Sequence, residues 1–107
     1  MPENISRISQ LEQMHRQEPH DAFVHYALAM ELSRLGRPSE AVTVFNAVIR
    51  EHPDYAAAYF MCGRTLEQMD RLNEAGDMYR AGISAARRGG DEHAAGEMQA
   101  ALDAIIA

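Results

Sequence analysis

The 107-residue sequence predicts an all-α chain of two stacked helical hairpins, with one further helix at each end. Three observations predict it. Small and apolar residues recur at a spacing of 34 positions, which in a chain this short marks stacked structural units. Within each unit the apolar residues fall three and four apart, the period of a helix buried on one face. Gly and Pro punctuate the chain where helices would have to stop, at Pro19, Gly36-Arg37-Pro38, Pro53 and Gly89-Gly90. A hydrophobic share of 47% and a charged share of 24% supply enough apolar surface for one core and argue against disorder.

The first predicted helix, Asn4–Gln17, carries Ile5, Ile8, Leu11 and Met14. Shifted by 34, Ile8, Leu11 and Met14 land on Val42, Phe45 and Val48. This helix therefore imitates the second helix of a unit whose first helix is missing. Asp21 is placed to cap the next helix, Phe23–Leu35, which holds no Pro or Gly. Gly36 then suits a helix C-terminus, and Pro38 suits the first turn of a new helix. Glu40–Glu51 follows, with Ala41, Val44, Phe45, Val48 and Ile49 at helical spacing. A strand is excluded there because apolar residues occupy adjacent positions at 44–45 and 47–49. The second unit runs Tyr55–Met69, a turn at Asp70-Arg71, and Leu72–Ala86. Beyond Gly89-Gly90, which reads as a hinge, Asp91–Ile106 offers Ala94, Met98, Leu102 and Ile105 to cover the open flank of the stack. The expected organisation is one domain over 1–107, with a helix at 4–17, repeat one at 21–53, repeat two at 54–88 and a capping helix at 91–106.

Sliding Ala22–Asp54 onto Ala56–Arg88 matches Leu32 with Leu66, Arg37 with Arg71, Glu40 with Glu74, Ala41 with Ala75, Ala47 with Ala81 and Ile49 with Ile83. Tyr26 meets Phe60, Ala29 meets Gly63 and Phe45 meets Tyr79. Taken together, Leu28-Ala29, Leu32, Ala41, Phe45 and Pro53 in unit one, and Tyr59, Cys62-Gly63, Leu66, Ala75 and Tyr79 in unit two, resemble the tetratricopeptide repeat (TPR) family. Departures exist. His25 stands where the family has its first aromatic, Val48 and Gly82 replace the last small Ala, and Arg87 replaces the closing Pro of unit two. The lost Pro implies a longer helix before Gly89-Gly90. The resemblance implies a TPR-like α-α superhelix, whose first helices line a concave groove. The small residues have a physical reason: bulk at Ala29, Gly63, Ala41 or Ala75 would force crossing helices beyond the ~8–10 Å at which they pack. Phe45 and Tyr79 are expected to fill the space between neighbouring units.

The composition narrows the function. Sixteen acids against ten bases give a net charge of −6; every base is Arg, a usage that fits a GC-rich bacterial coding sequence. No basic cluster beyond Arg87-Arg88 exists, so nucleic acid and anionic membranes are poor partners. No apolar run approaches the ~20 residues of a membrane span, and no leader peptide is visible, so a cytoplasmic location is expected. One cysteine, Cys62, excludes an internal disulfide and a cysteine-based zinc site. It occupies a family Leu position and reads as a buried, inert thiol. The histidines at 15, 20, 25, 52 and 93 show no i, i+4 pairing; His25 reads as a packing substitute and His52 as a solvated turn residue. No catalytic constellation, metal site or cofactor motif is present in the sequence.

The candidate site is therefore a surface. With His25, Leu28, Ala29 and Leu32 facing the core, the groove side of the first helices holds Phe23, Tyr26, Met30 and Arg34 in unit one. Phe60, Met61, Arg64 and Gln68, with Ala57, are their counterparts in unit two. Aromatics, Met and Arg dominate interface hot spots and adaptable binding faces. These residues can equally pack against one another or against the end helices. Arg34 and Arg64 can meet a carboxylate of a partner, or pair with Glu31 and Glu67 on their own helices. The carboxylate-holding Lys and Asn of chaperone-type TPR grooves are replaced by Tyr26, Met30, Ala57 and Met61, which disfavours that mode. The expected function is a non-enzymatic protein-interaction scaffold holding a protein or peptide segment in the groove. The alternative is a homodimer that buries the groove or the cap helix.

Overall fold

Helix geometry follows the punctuation closely. The computed structural model describes the backbone of residues 3–106 and the side chains of residues 7–106. Six helices follow one another: α1 (Glu3–Gln17), α2 (Ala22–Arg34), α3 (Pro38–Glu51), α4 (Ala56–Gln68), α5 (Leu72–Arg88) and α6 (Glu92–Ile106). No strand occurs among the described residues. Each helix packs on the next, and α2–α4 and α4–α6 also touch, so α2, α4 and α6 form one continuous layer. The molecule measures 44 × 28 × 19 Å.

Asp21 caps α2 as its sequence position implies: its carboxylate accepts from the Phe23 and Val24 amides at 3.0 and 3.2 Å. Pro38 opens α3 two residues before the expected start at Glu40, because its fixed φ belongs to a first helical turn and its missing N–H is not needed there. The ends of α2, α4 and α5 share one device, in which a residue with positive φ turns the chain back on the last helical carbonyls. Gly36 (φ 76°), Asp70 (φ 59°) and Gly90 (φ 74°) hold that place. The amides that follow, on Arg37, Arg71 and Asp91, donate to Leu32, Leu66 and Ala86 at 2.9, 2.9 and 2.8 Å. α5 extends to Arg88, as the lost Pro implies.

The core is continuous from Ile8 on α1 to Leu102 on α6. Ala29, Ala41, Gly63 and Ala75 are buried at the crossings. A Cβ added at Gly63 would lie 2.8 Å from Tyr79 Cδ1, and one at Gly82 would lie 2.6 Å from Tyr59 Cβ; both glycines are required by close approach. Phe45 and Tyr79 are both fully buried. Each ring lies against the first helix of its own hairpin: Phe45 against Tyr26 at 6.0 Å and Tyr79 against Phe60 at 6.2 Å. The hollow left by Gly63 is inside its hairpin, and the Tyr79 ring fills it there. The Tyr79 hydroxyl donates to the Glu67 carboxylate. Cys62 is buried, and loss of hydration pushes its thiol up to about 12.

The end helices also differ from the stripes read in the sequence. On α6, Ala95, Met98 and Leu102 are buried, while Ala94 and Ile105 lie at the margin. On α1, Ile8 is buried, Leu11 half-buried and Met14 exposed. Four residues spaced by three drift about 60° per step around a helix, so the stripe cannot stay on one face. The counterparts of Met14, Val48 and Gly82, are buried in full hairpins; among the described residues no helix covers Met14. Ile5 falls outside the residues whose side chains are described.

Candidate functional site

The layer formed by α2 and α4 presents a cavity of about 420 Å³, closed on one side by Arg7 of α1. Phe23, Tyr26, Met30 and Arg34 of α2 and Met61 of α4 line it. These are residues that the helical offset places on the groove face, and the fold brings the five together. Phe23 is 68% exposed, an unusual state for a phenyl ring. Tyr26 serves two surfaces: its ring packs near Tyr55 at 5.4 Å and Phe45 at 6.0 Å while also forming the cavity wall. Burial, with Tyr55 adding to it, raises the Tyr26 phenol above its ordinary range.

The other three residues lie elsewhere on α4. Phe60 is half-buried and edge-on to Tyr79. Arg64 and Gln68 are exposed and do not line the cavity. Arg64 is not paired with Glu67, which takes the Tyr79 hydroxyl instead. Ala57 borders a separate hollow of about 290 Å³ between α4, α5 and the start of α6.

At the cavity floor is a group that sequence reasoning weighed only as a surface pair. Glu31 is 5% exposed and lies between two guanidiniums. It accepts from Arg34 Nε at 2.9 Å and pairs with Arg7 Nε at 3.1 Å. The Arg34 hydrogen bond, helped by the charges of Arg34 and Arg7 and opposed by desolvation, holds its carboxyl below the ordinary value of 4.5. One carboxylate thus joins two guanidiniums, one from α1 and one from its own helix. The signal for Arg7 was available: shifted by 34 and by 68 it falls on Ala41 and Ala75. Where the full hairpins carry a small residue, α1 carries a long cation that reaches Glu31. Behind the cavity, Thr65 donates to the Met61 carbonyl at 2.8 Å and lies 3.4 Å from Ser33 Oγ, a polar contact between α2 and α4 beneath Met61.

Two of the histidines meet in space. His15 and His25 stack at 4.0 Å with planes 19° apart, joining α1 to α2. Among the described residues no group of three or more His, Cys, Asp or Glu is arranged to hold a metal ion. Among the same residues no helix is long and apolar enough to cross a membrane.

Helical hairpins stacked so that their first helices share a layer, with a partly apolar cavity on that layer, define a helical-repeat scaffold. The tetratricopeptide repeat model matches residues 32–102. A tetratricopeptide repeat domain protein from Salinibacter ruber is 34% identical over 81% of this chain and 88% of its own, with a TM-score of 0.77. The chain belongs to the tetratricopeptide repeat family. A protein from Bordetella parapertussis shares the fold at 22% identity and TM-score 0.80, over 92% of this chain and 86% of its own. PcrH, solved in complex with the chaperone-binding region of PopD, shares it at 15% identity and TM-score 0.87, over 96% and 78%. No curated protein matches the chain. Tetratricopeptide repeats typically mediate protein–protein interaction and are generally non-catalytic.

Proposed function

We propose that this chain is a non-enzymatic scaffold that holds a segment of a partner protein in the cavity between α2 and α4. The observation that supports the reading best is the exposed Phe23 beside Met30, Met61 and the Arg7–Glu31–Arg34 triad, apolar side chains next to a fixed polar group. Such a surface suits a segment with large apolar side chains, since Met adapts its shape to the guest and Arg is common at interface hot spots. PcrH, a protein of the same fold, is bound to a region of another protein, PopD. In this reading residues 1–107 act as one unit, repeats 21–53 and 54–88 between α1 and the capping helix, in the bacterial cytoplasm, without cofactor, nucleic acid or membrane. Phe60, Arg64 and Gln68 extend the binding face along α4.

The test is capture from native cell extract by the wild type and by a Phe23→Ala, Met61→Ala double variant of equal helicity. The reading expects a partner held by the wild type to be lost by the variant. Equal capture by both contradicts it. Light scattering of the purified chain addresses the alternative: a stable dimer that the double variant breaks into monomers means that a second copy covers the cavity.

A further inference from the structure

The α1–α2 junction carries a contact between two histidines. α1 packs on α2 and leaves Met14 in water. Ile8, the Arg7–Glu31 pair and His15 hold it. Where the full hairpins have Ile49 and Ile83, α1 has His15, and its ring lies flat on His25. Two neutral imidazoles at 4.0 Å stack favourably; two imidazoliums at that distance repel. His15 Nδ1 is buried without a hydrogen-bond partner.

We propose that the His15–His25 stack is a proton-operated latch, holding α1 against α2 at neutral pH and releasing it on acidification, so that the Arg7 wall of the cavity opens. The groups facing His25 bear this out in sign. From α1 it meets His15, and from the end of α3 it meets Glu51 and His52. His15 and His52 disfavour a charge on His25, while Glu51 favours one. Glu51 is itself engaged by His20 in the connection between α1 and α2. Burial is the largest influence, and His25 lies below its ordinary value of 6.5. Well above pH 6.5 both the latched and the released forms carry a neutral ring, and the latch is intact. As pH falls through 6.5 the released form takes up a proton first. The bias toward release is complete once the pH is below the lower value of the latched form.

The consequence for a partner rests on the function proposed above; the latch itself is read without one. The experiment is amide hydrogen exchange on the intact chain at about pH 7.5 and about pH 5.5, either side of the ordinary histidine range. After correction for intrinsic rates, protection of residues 7–17 should fall at least about threefold relative to α5 at the lower pH. His25→Phe and His15→Phe, which keep a ring in the stack, should each abolish that response, and His52→Gln should retain it. An NMR titration of the wild type supplies a readout that needs no variant: α1 amide shifts should follow the His25 ring. The proposal is overturned by an unchanged wild-type α1, by the same pH response in the Phe variants, or by α1 amides that stay still while His25 titrates. A failed partner capture would bear on the cavity reading alone.

Discussion

Shifted by 34 residues, the first hairpin (α2–α3) meets the second (α4–α5) with the same frame and a different concave interior. Gly36 and Asp70 make the same left-handed turn. Arg37 grips Glu40 with two bonds of 2.9 and 2.6 Å, and Arg71 grips Glu74 with 2.7 and 2.6 Å. Ala41 and Ala75 are both fully buried. The differences are chemical. Buried Glu31 faces Thr65, half-buried His25 faces buried Tyr59, and capping Asp21 faces Tyr55, which makes no side-chain cap. Tyr59 donates to the Pro53 carbonyl at 2.6 Å and closes on its own backbone, whereas His25 and Glu31 reach out to α1. The frame is repeated because helix crossings tolerate only small residues. Positions away from the crossings are free of that limit, and the first hairpin uses His25 and Glu31 to hold α1.

The frame can be broken equally in both hairpins. Ala41→Phe and Ala75→Phe should each lower stability by about 3 kcal/mol or more, since neither site has room for a ring. Thermal melting checks it, and a loss in one hairpin alone would break the equivalence. Gly63→Ala should cost about 1–3 kcal/mol in denaturant unfolding, because the new Cβ meets the Tyr79 ring. Asp21→Ala should cost about 1 kcal/mol, a loss the uncapped second hairpin cannot suffer. Asp70→Gly should raise stability by roughly 0.5–1 kcal/mol by relieving its left-handed backbone, making the second turn as relaxed as Gly36. A destabilised Asp70→Gly would mean that the Asp side chain has a role the turn geometry does not show.

The helices were legible in the sequence because each crossing leaves a small residue and each end leaves a Gly, a Pro or an Asp. The five cavity residues on α2 and α4 were legible from helical offset alone. What offset could not give was depth. Phe60 shares a nominal face with Phe23 but leans on Tyr79, since Gly63 opens a hollow beside that ring. Nor could it give contacts between helices with no shared register. Arg7 to Glu31 and His15 to His25 depend on how α1 crosses α2, and a 34-residue period is silent about that crossing. Their trace in the sequence was a mismatch, Arg against Ala41 and His against Ile49, at positions where the repeats agree.

The central claim is that one buried carboxylate distinguishes the first hairpin and ties α1 to it. Exchanging it for its counterpart, as Glu31→Thr, tests that claim by amide hydrogen exchange at neutral pH. Protection should fall in residues 7–17 and stay unchanged across α4, α5 and α6. Full protection of α1, or a loss spread evenly over every helix, would contradict the account.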